Sequence, residues 1–137
     1  MEMWWFGKDR REEVWNEDIQ WPIGDIEAAK RIRNICRSAA DSAAIVGGLA
    51  IRTDDKRVKS ETRRHKLEAE RYRRAARTAM EIAMKISDDL MRDAAVSQIV
   101  DLCLKANDLR TARMLFRAIQ SVSIREEVLT NHPALRE

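Results

Sequence analysis

The chain holds only four glycines and two prolines in 137 residues. Tight turns between strands draw heavily on those two residue types, so their scarcity argues against an all-β fold. From Lys56 to Ile86 neither occurs, and nothing in that stretch interrupts one long helix. Apolar residues also recur at spacings of three and four. Ile26, Ala29, Ile32, Cys36, Ala39, Ala43, Val46 and Ala50 share one helical face, His65, Ala69, Tyr72, Ala76, Ala79, Ala83 and Ile86 share another, and Leu90, Ala94, Ile99, Leu102, Cys103 and Ala106 mark a third. Charged residues make up 36% of the chain, above the usual quarter, which suits helices with one buried stripe and a broad solvated face.

The expected fold class is therefore all-α, with about five helices arranged as antiparallel α-hairpins. Residues 1–137 read as a single helical domain: an aromatic N-terminal segment over 1–22, long helices over 25–86 and a hairpin region over 87–131. The boundaries come from capping residues. A short helix is expected over Asp9–Glu17, and Asp25 is expected to cap the first long helix. Thr53-Asp54-Asp55, Ser87-Asp88-Asp89 and Asn107-Asp108 mark later breaks. Ser123-Ile124-Arg125-Glu126 has the spacing of a capping box for a last helix ending near Asn131, with a frayed tail beyond His132-Pro133. Gly47-Gly48 has two readings: a kink or helix end, or a flat surface that lets another helix come close.

An internal repeat runs through the C-terminal half. RTAMEIAMKI from Arg77 and RTARMLFRAI from Arg110 are offset by 33 positions, so that Arg77, Thr78, Ala79, Ile86 and Arg92 recur as Arg110, Thr111, Ala112, Ile119 and Arg125. Periods of this length belong to helical-hairpin arrays. Over residues 77–131 the chain resembles a tetratricopeptide-type repeat. Val96 and Ile99 stand at first-helix apolar positions and Asn107-Asp108 at the turn, while Ala112, Leu115 and Phe116 stand at the small-then-aromatic signature of the second helix. Val100, Ile119 and Ile124 depart from that pattern. The resemblance implies tetratricopeptide-like packing in the C-terminal half and a protein-binding role. The family's concave groove is built from several stacked units, and this chain offers about one and a half.

Motifs for chemistry are sparse. His65 and His132 are the only histidines, and HExxH, CxxC and a Gly-rich phosphate loop are all missing from the sequence. No catalytic, cofactor or metal site is expected, and a non-enzyme is the leading reading. Acid pairs such as Asp54-Asp55 diverge by about 100° on a helix and serve as caps rather than as a carboxylate dyad. Cys36 and Cys103 read as buried thiols in a reducing compartment, able to pair only if the fold brings them together.

Two features point to partners. Residues 56–77, KRVKSETRRHKLEAERYRRAAR, hold ten Lys or Arg against three Glu. Lys56, Lys59, Arg63 and Lys66 can form a basic edge able to follow phosphates. The same stretch also reads as a solvated helix, because Arg57, Glu61, Arg64, Glu68 and Arg71 alternate in sign at ion-pairing intervals. The second feature is aromatic: all four tryptophans, Trp4, Trp5, Trp15 and Trp21, lie in the first 21 residues, together with Phe6. They read as an end cap on the helices, as a contact with a second subunit, or as an anchor in a membrane interface. The last is disfavoured by the acids Asp9, Glu12 and Glu13.

No run approaches the ~20 apolar residues of a membrane span. The start lacks a secretory pattern, since Glu2 precedes the short apolar run Met3–Phe6. The expectation is a cytoplasmic protein–protein interaction or scaffolding module, self-associating, with no cofactor. Nucleic acid binding through residues 56–77 is the alternative, and an enzyme with an unrecognised site is a second one.

Overall fold

The computed structural model describes residues 13–51 and 58–136, with side chains over 13–48 and 63–136. Among them are five α-helices and no strand: α1 (Asp25–Ile51), α2 (Val58–Ala83), α3 (Asp89–Lys105), α4 (Leu109–Ala118) and α5 (Val122–Asn131), with 3-10 turns at Val14–Asn16 and Pro133–Arg136. Helix α1 packs on α2 and α3, and α3 packs in turn on α2, α4 and α5. Because α3 has neighbours on several sides, Ala95, Val96, Ile99, Val100, Leu102, Cys103 and Ala106 are all buried. The expected stripe on this helix is therefore too narrow, and its first members, Leu90 and Ala94, are exposed.

The buried face of α1 keeps Ile32, Ala39 and Ala43 of the expected one and shifts at its start. Ala28, Ile32, Ile35, Ala39 and Ala43 are in the core, whereas Ile26 is 71% exposed. Ile26 lies about 160° round the helix from the buried Ala28, on the outer side of the first turn. Asp25 is the first helical residue rather than the cap, and the helix opens with the Ala28 N–H donating to the Gly24 carbonyl at 3.0 Å. The Asp25 carboxylate instead accepts the N–H groups of Ser87 and Asp88, each at 2.9 Å.

Helix α1 continues unbroken through Gly47 and Gly48. Gly47 is buried so closely against the end of α3 that a Cβ there would collide with the carbonyl oxygen of Lys105. Of the two readings of this glycine pair, close approach is the one realised.

The caps follow the acids and hydroxyls. Asp88 accepts the Met91 N–H at 2.9 Å, Asp108 accepts the Thr111 N–H at 3.3 Å, and Ser121 accepts the Ile124 N–H at 3.3 Å. The α5 cap is thus Ser121 and not Ser123, two residues earlier than the capping-box reading placed it. At the end of α3 the chain turns through Asn107 with φ 61°. The Asp108 N–H reaches the Cys103 carbonyl at 2.9 Å and the Asn107 N–H reaches Leu104 at 3.0 Å, the paired bonds of a Schellman motif. Beyond α5 the turn Pro133–Arg136 packs back on the helices, where Leu135 is buried.

The two loops that lead into α3 and α5 carry the same bonds. Asp25 binds Ser87 and Asp88. Asp93, itself buried, accepts the N–H groups of Gln120 at 3.1 Å and Ser121 at 2.8 Å. Arg92 donates to the Ile86 carbonyl at 3.4 Å and Arg125 to the Ile119 carbonyl at 3.0 Å. These last two bonds join residue pairs that are offset by 33 positions in the sequence.

Candidate functional site

Three surfaces bear on function: the N-terminal aromatic segment, the basic helix, and a face shared by α1, α3 and α5. Trp4, Trp5 and Phe6 lie outside the described residues. Trp15 is 4% exposed, packed by its own chain where the Val14–Asn16 turn meets α1 and α2. Its neighbour Arg71 lies 5.9 Å from the ring centre. The same guanidinium binds Glu13 at 3.1 Å and Glu68 at 3.6 Å, and Glu68 accepts the Ser42 hydroxyl at 2.6 Å. A polar chain thus ties the N-terminal segment across both long helices. Trp15 serves as an internal cap and is not free to meet a partner. Trp21 differs: it is 42% exposed, with the Lys85 ammonium 5.0 Å above its ring.

On the basic helix, Lys56 lies outside the described residues and Lys59 is placed only by its backbone in α2. Arg63 and Lys66 are exposed, as are Arg64, Arg73, Arg74 and Arg77. The expected lacing by ion pairs reduces, among the described residues, to Glu68 with Arg71.

The third surface has no counterpart among the features read from the sequence. A groove of about 310 Å³ runs between α1 and α3, with Cys36, Ala40 and Leu102 on its floor and Arg33, Arg37 and Lys105 at its rim. A second, of about 450 Å³, lies between α3 and the end of α5, lined by Leu104, Asn131 and His132. Asp101 and Lys105 border both. Asp101 binds His132 Nε2 at 2.8 Å. Arg33 and Arg37, four apart on α1, were the available signal, but a pair at that spacing on a charged helix does not stand out from the other solvated residues.

The thiols beside this surface are chemically quiet. Cys36 is half-buried and Cys103 fully buried, and both are free. Burial pushes the Cys36 thiol up to about 12, with Cys103 and Asp101 adding to the rise. Burial likewise raises Cys103 to about 11; the Tyr72 hydroxyl beside it lowers the value and Asp108 raises it. Tyr72 is shifted well upward too, by burial first and then by Cys103 and Asp108, and its hydroxyl donates to Asp108 at 2.7 Å. Nucleophilic sulfur chemistry needs a thiolate, and here the protonated form is held. The Asp101–His132 pair consequently has no activated nucleophile in Cys36. Among the described residues no three His, Cys, Asp or Glu side chains gather as a metal site, and no helix is long and apolar enough to cross a membrane.

No family model, curated protein or solved structure matches this chain.

Proposed function

We infer that the chain is a protein-interaction module, and that the face shared by α1, α3 and α5 receives an extended, acidic segment of a partner. The observation that carries this reading is that the two grooves share Asp101 and Lys105 as a common border, so that we read the pair as one channel across three helices. Its floor is apolar between α1 and α3, at Cys36, Ala40 and Leu102, and more polar beside α5, where Leu104 lies with Asn131 and His132. Its rim carries the cations Arg33, Arg37 and Lys105, none of which has an acidic partner among the described residues. An extended peptide can bury alternate apolar side chains on such a floor and set acidic ones against the rim. The tetratricopeptide-like resemblance points to the same role, and self-association through a second copy's acidic segment is one way to fill the channel.

A displayed library of random peptides tests the reading. The wild-type protein should enrich acidic sequences, and Arg37→Glu with Lys105→Glu should abolish the enrichment while leaving the melting temperature unchanged. Failure to enrich any acidic class would sink the proposal. Sedimentation of the same two proteins reads the self-association arm: a wild-type dimer that the double variant dissolves would place the second copy in the channel.

A further inference from the structure

The positive charge of the structure is unevenly placed. Six cations of α2, namely Arg63, Arg64, Lys66, Arg73, Arg74 and Arg77, are exposed, against the exposed acids Glu70 and Glu81. Helix α4, LRTARMLFRA, has no acid at all and exposes Arg110 and Arg117. Helix α5, by contrast, exposes Glu126 and Glu127. The two basic helices adjoin, for a groove of about 250 Å³ lies between them, lined by Ala76, Met80 and Leu115 together with Arg73, Arg77 and the acid Asp108.

These cations take no visible part in holding the fold. Arg31, Arg71 and Arg92 each bind a carboxylate, and Arg125 binds the Ile119 carbonyl. None of the eight cations on α2 and α4 has an acidic partner among the described residues. Isolated surface cations are ordinary. A patch spread over two adjoining helices, with eight exposed cations against Glu70, Glu81 and the groove-lining Asp108, has a predominantly positive field.

We propose that the exposed faces of α2 and α4 form a second binding surface, which holds the phosphate backbone of nucleic acid without regard to sequence. The spacing fits an extended polyanion. From Arg63 to Arg77 the helix rises ~21 Å, a length that spans several successive phosphates. Guanidinium groups grip phosphate through paired N–H donors, whereas a lysine offers only a point charge, and seven of the eight cations are arginine. A membrane surface is a poorer fit, because it needs an apolar stripe at helical spacing, and Leu67 is the one exposed large apolar side chain between Arg63 and Arg77. The surface also lacks means to read bases. Tyr72 on α2 and Phe116 on α4 are both buried, and the Tyr72 hydroxyl is committed to Asp108, so neither helix offers an exposed ring on which a base could stack. This surface is separate from the acidic-peptide channel, and the two proposals fail independently.

The test uses the full chain and a labelled oligonucleotide of random sequence, as a single strand and as a duplex, titrated by fluorescence anisotropy between about 50 and 200 mM salt. Both forms should bind, with affinity falling steeply as salt rises. Arg73→Gln/Arg74→Gln/Arg77→Gln should weaken binding at least ~10-fold and flatten the salt dependence by about one unit for each phosphate that is no longer held. Arg110→Gln/Arg117→Gln, on the other helix, should weaken it in the same way. Arg33→Gln/Arg37→Gln, in the channel, should cost far less than either of these. All of the substituted side chains face solvent, and matched melting temperatures verify that each variant folds. The proposal is overturned if the wild type shows no binding at the lowest salt, if the triple variant binds as tightly as the wild type, if the channel variant loses as much, or if vesicles of anionic lipid bind more tightly than either oligonucleotide.

Discussion

The carboxylate of Asp93, in the middle of the structure, accepts the backbone N–H of Ser121 at 2.8 Å and so fixes where α5 begins. Asp93 is 3% exposed, and its second bond goes to Gln120. Asp93→Ala would strip the acceptor from two N–H groups in part-buried surroundings, at a cost of ~2–4 kcal/mol. Asp25, which makes the equivalent pair of bonds to Ser87 and Asp88, is in an exposed setting where water can substitute. Asp25→Ala should cost only ~1 kcal/mol. Chemical denaturation of the two variants checks the order, and an equal loss would contradict it.

The glycine pair in α1 should respond in opposite directions. Ala in place of Gly48 meets open space and gains helix propensity, so Gly48→Ala should stabilise by up to ~1 kcal/mol. The same methyl at Gly47 meets the backbone of Lys105, which cannot swing aside as a flexible side chain would. Gly47→Ala should destabilise by ~1–3 kcal/mol through overpacking. Paired thermal melts decide it, and two shifts of the same sign would mean that α1 and α3 are further apart than described.

The two described tryptophans should likewise separate. Trp15→Ala removes a core side chain and should cost ~3–5 kcal/mol. Trp21→Ala removes a half-exposed ring and its cation–π pairing with Lys85, for a cost below ~1 kcal/mol. Fluorescence agrees with this assignment if replacing Trp15, and not Trp21, removes the blue-shifted part of the emission.

The thiols predict an alkaline weakness. A cysteine in the unfolded chain ionises near ~8.5, while Cys36 and Cys103 in the folded chain hold their protons up to about 12 and about 11. Between those limits the folded state binds more protons than the unfolded one, so stability falls as pH rises and is unaffected by these groups below the unfolded value. Urea midpoints from neutral to alkaline pH should drop, and Cys36→Ala/Cys103→Ala should flatten the drop. Alkylation at mildly alkaline pH should be slow until denaturant is added.

How much of this was legible in the sequence depends on whether a feature is local. The helices and most of their boundaries are local matters of propensity and capping, and Asp88, Asn107-Asp108 and Asn131 stand where the sequence put them. Ala112, Leu115 and Phe116, three and four apart, are all buried on one face of α4. Rotation about a helix axis is set by what lies beside it. The stripe of α1 was for that reason misjudged at Ile26, and the stripe of α3 was too narrow because a central helix is covered on several sides. Asp25 and Asp93 hold amides far along the chain, and spacing rules reach only one turn. The channel at Asp101 and Lys105 is assembled from three helices, so no single stretch of sequence announces it.

The carboxylate bonds run across the direction of the chain. Covalent connection takes α2 into α3 and α4 into α5, whereas Asp25 joins α1 to the start of α3 and Asp93 joins α3 to the start of α5. A nick after Lys85 would therefore not release the C-terminal piece. Ser87 and Asp88, close to the new end, would still be gripped by Asp25, and α3 would still lie against α1 and α2. The molecule is in this sense divisible: two fragments that meet at that loop should stay associated through contacts that the nick leaves intact.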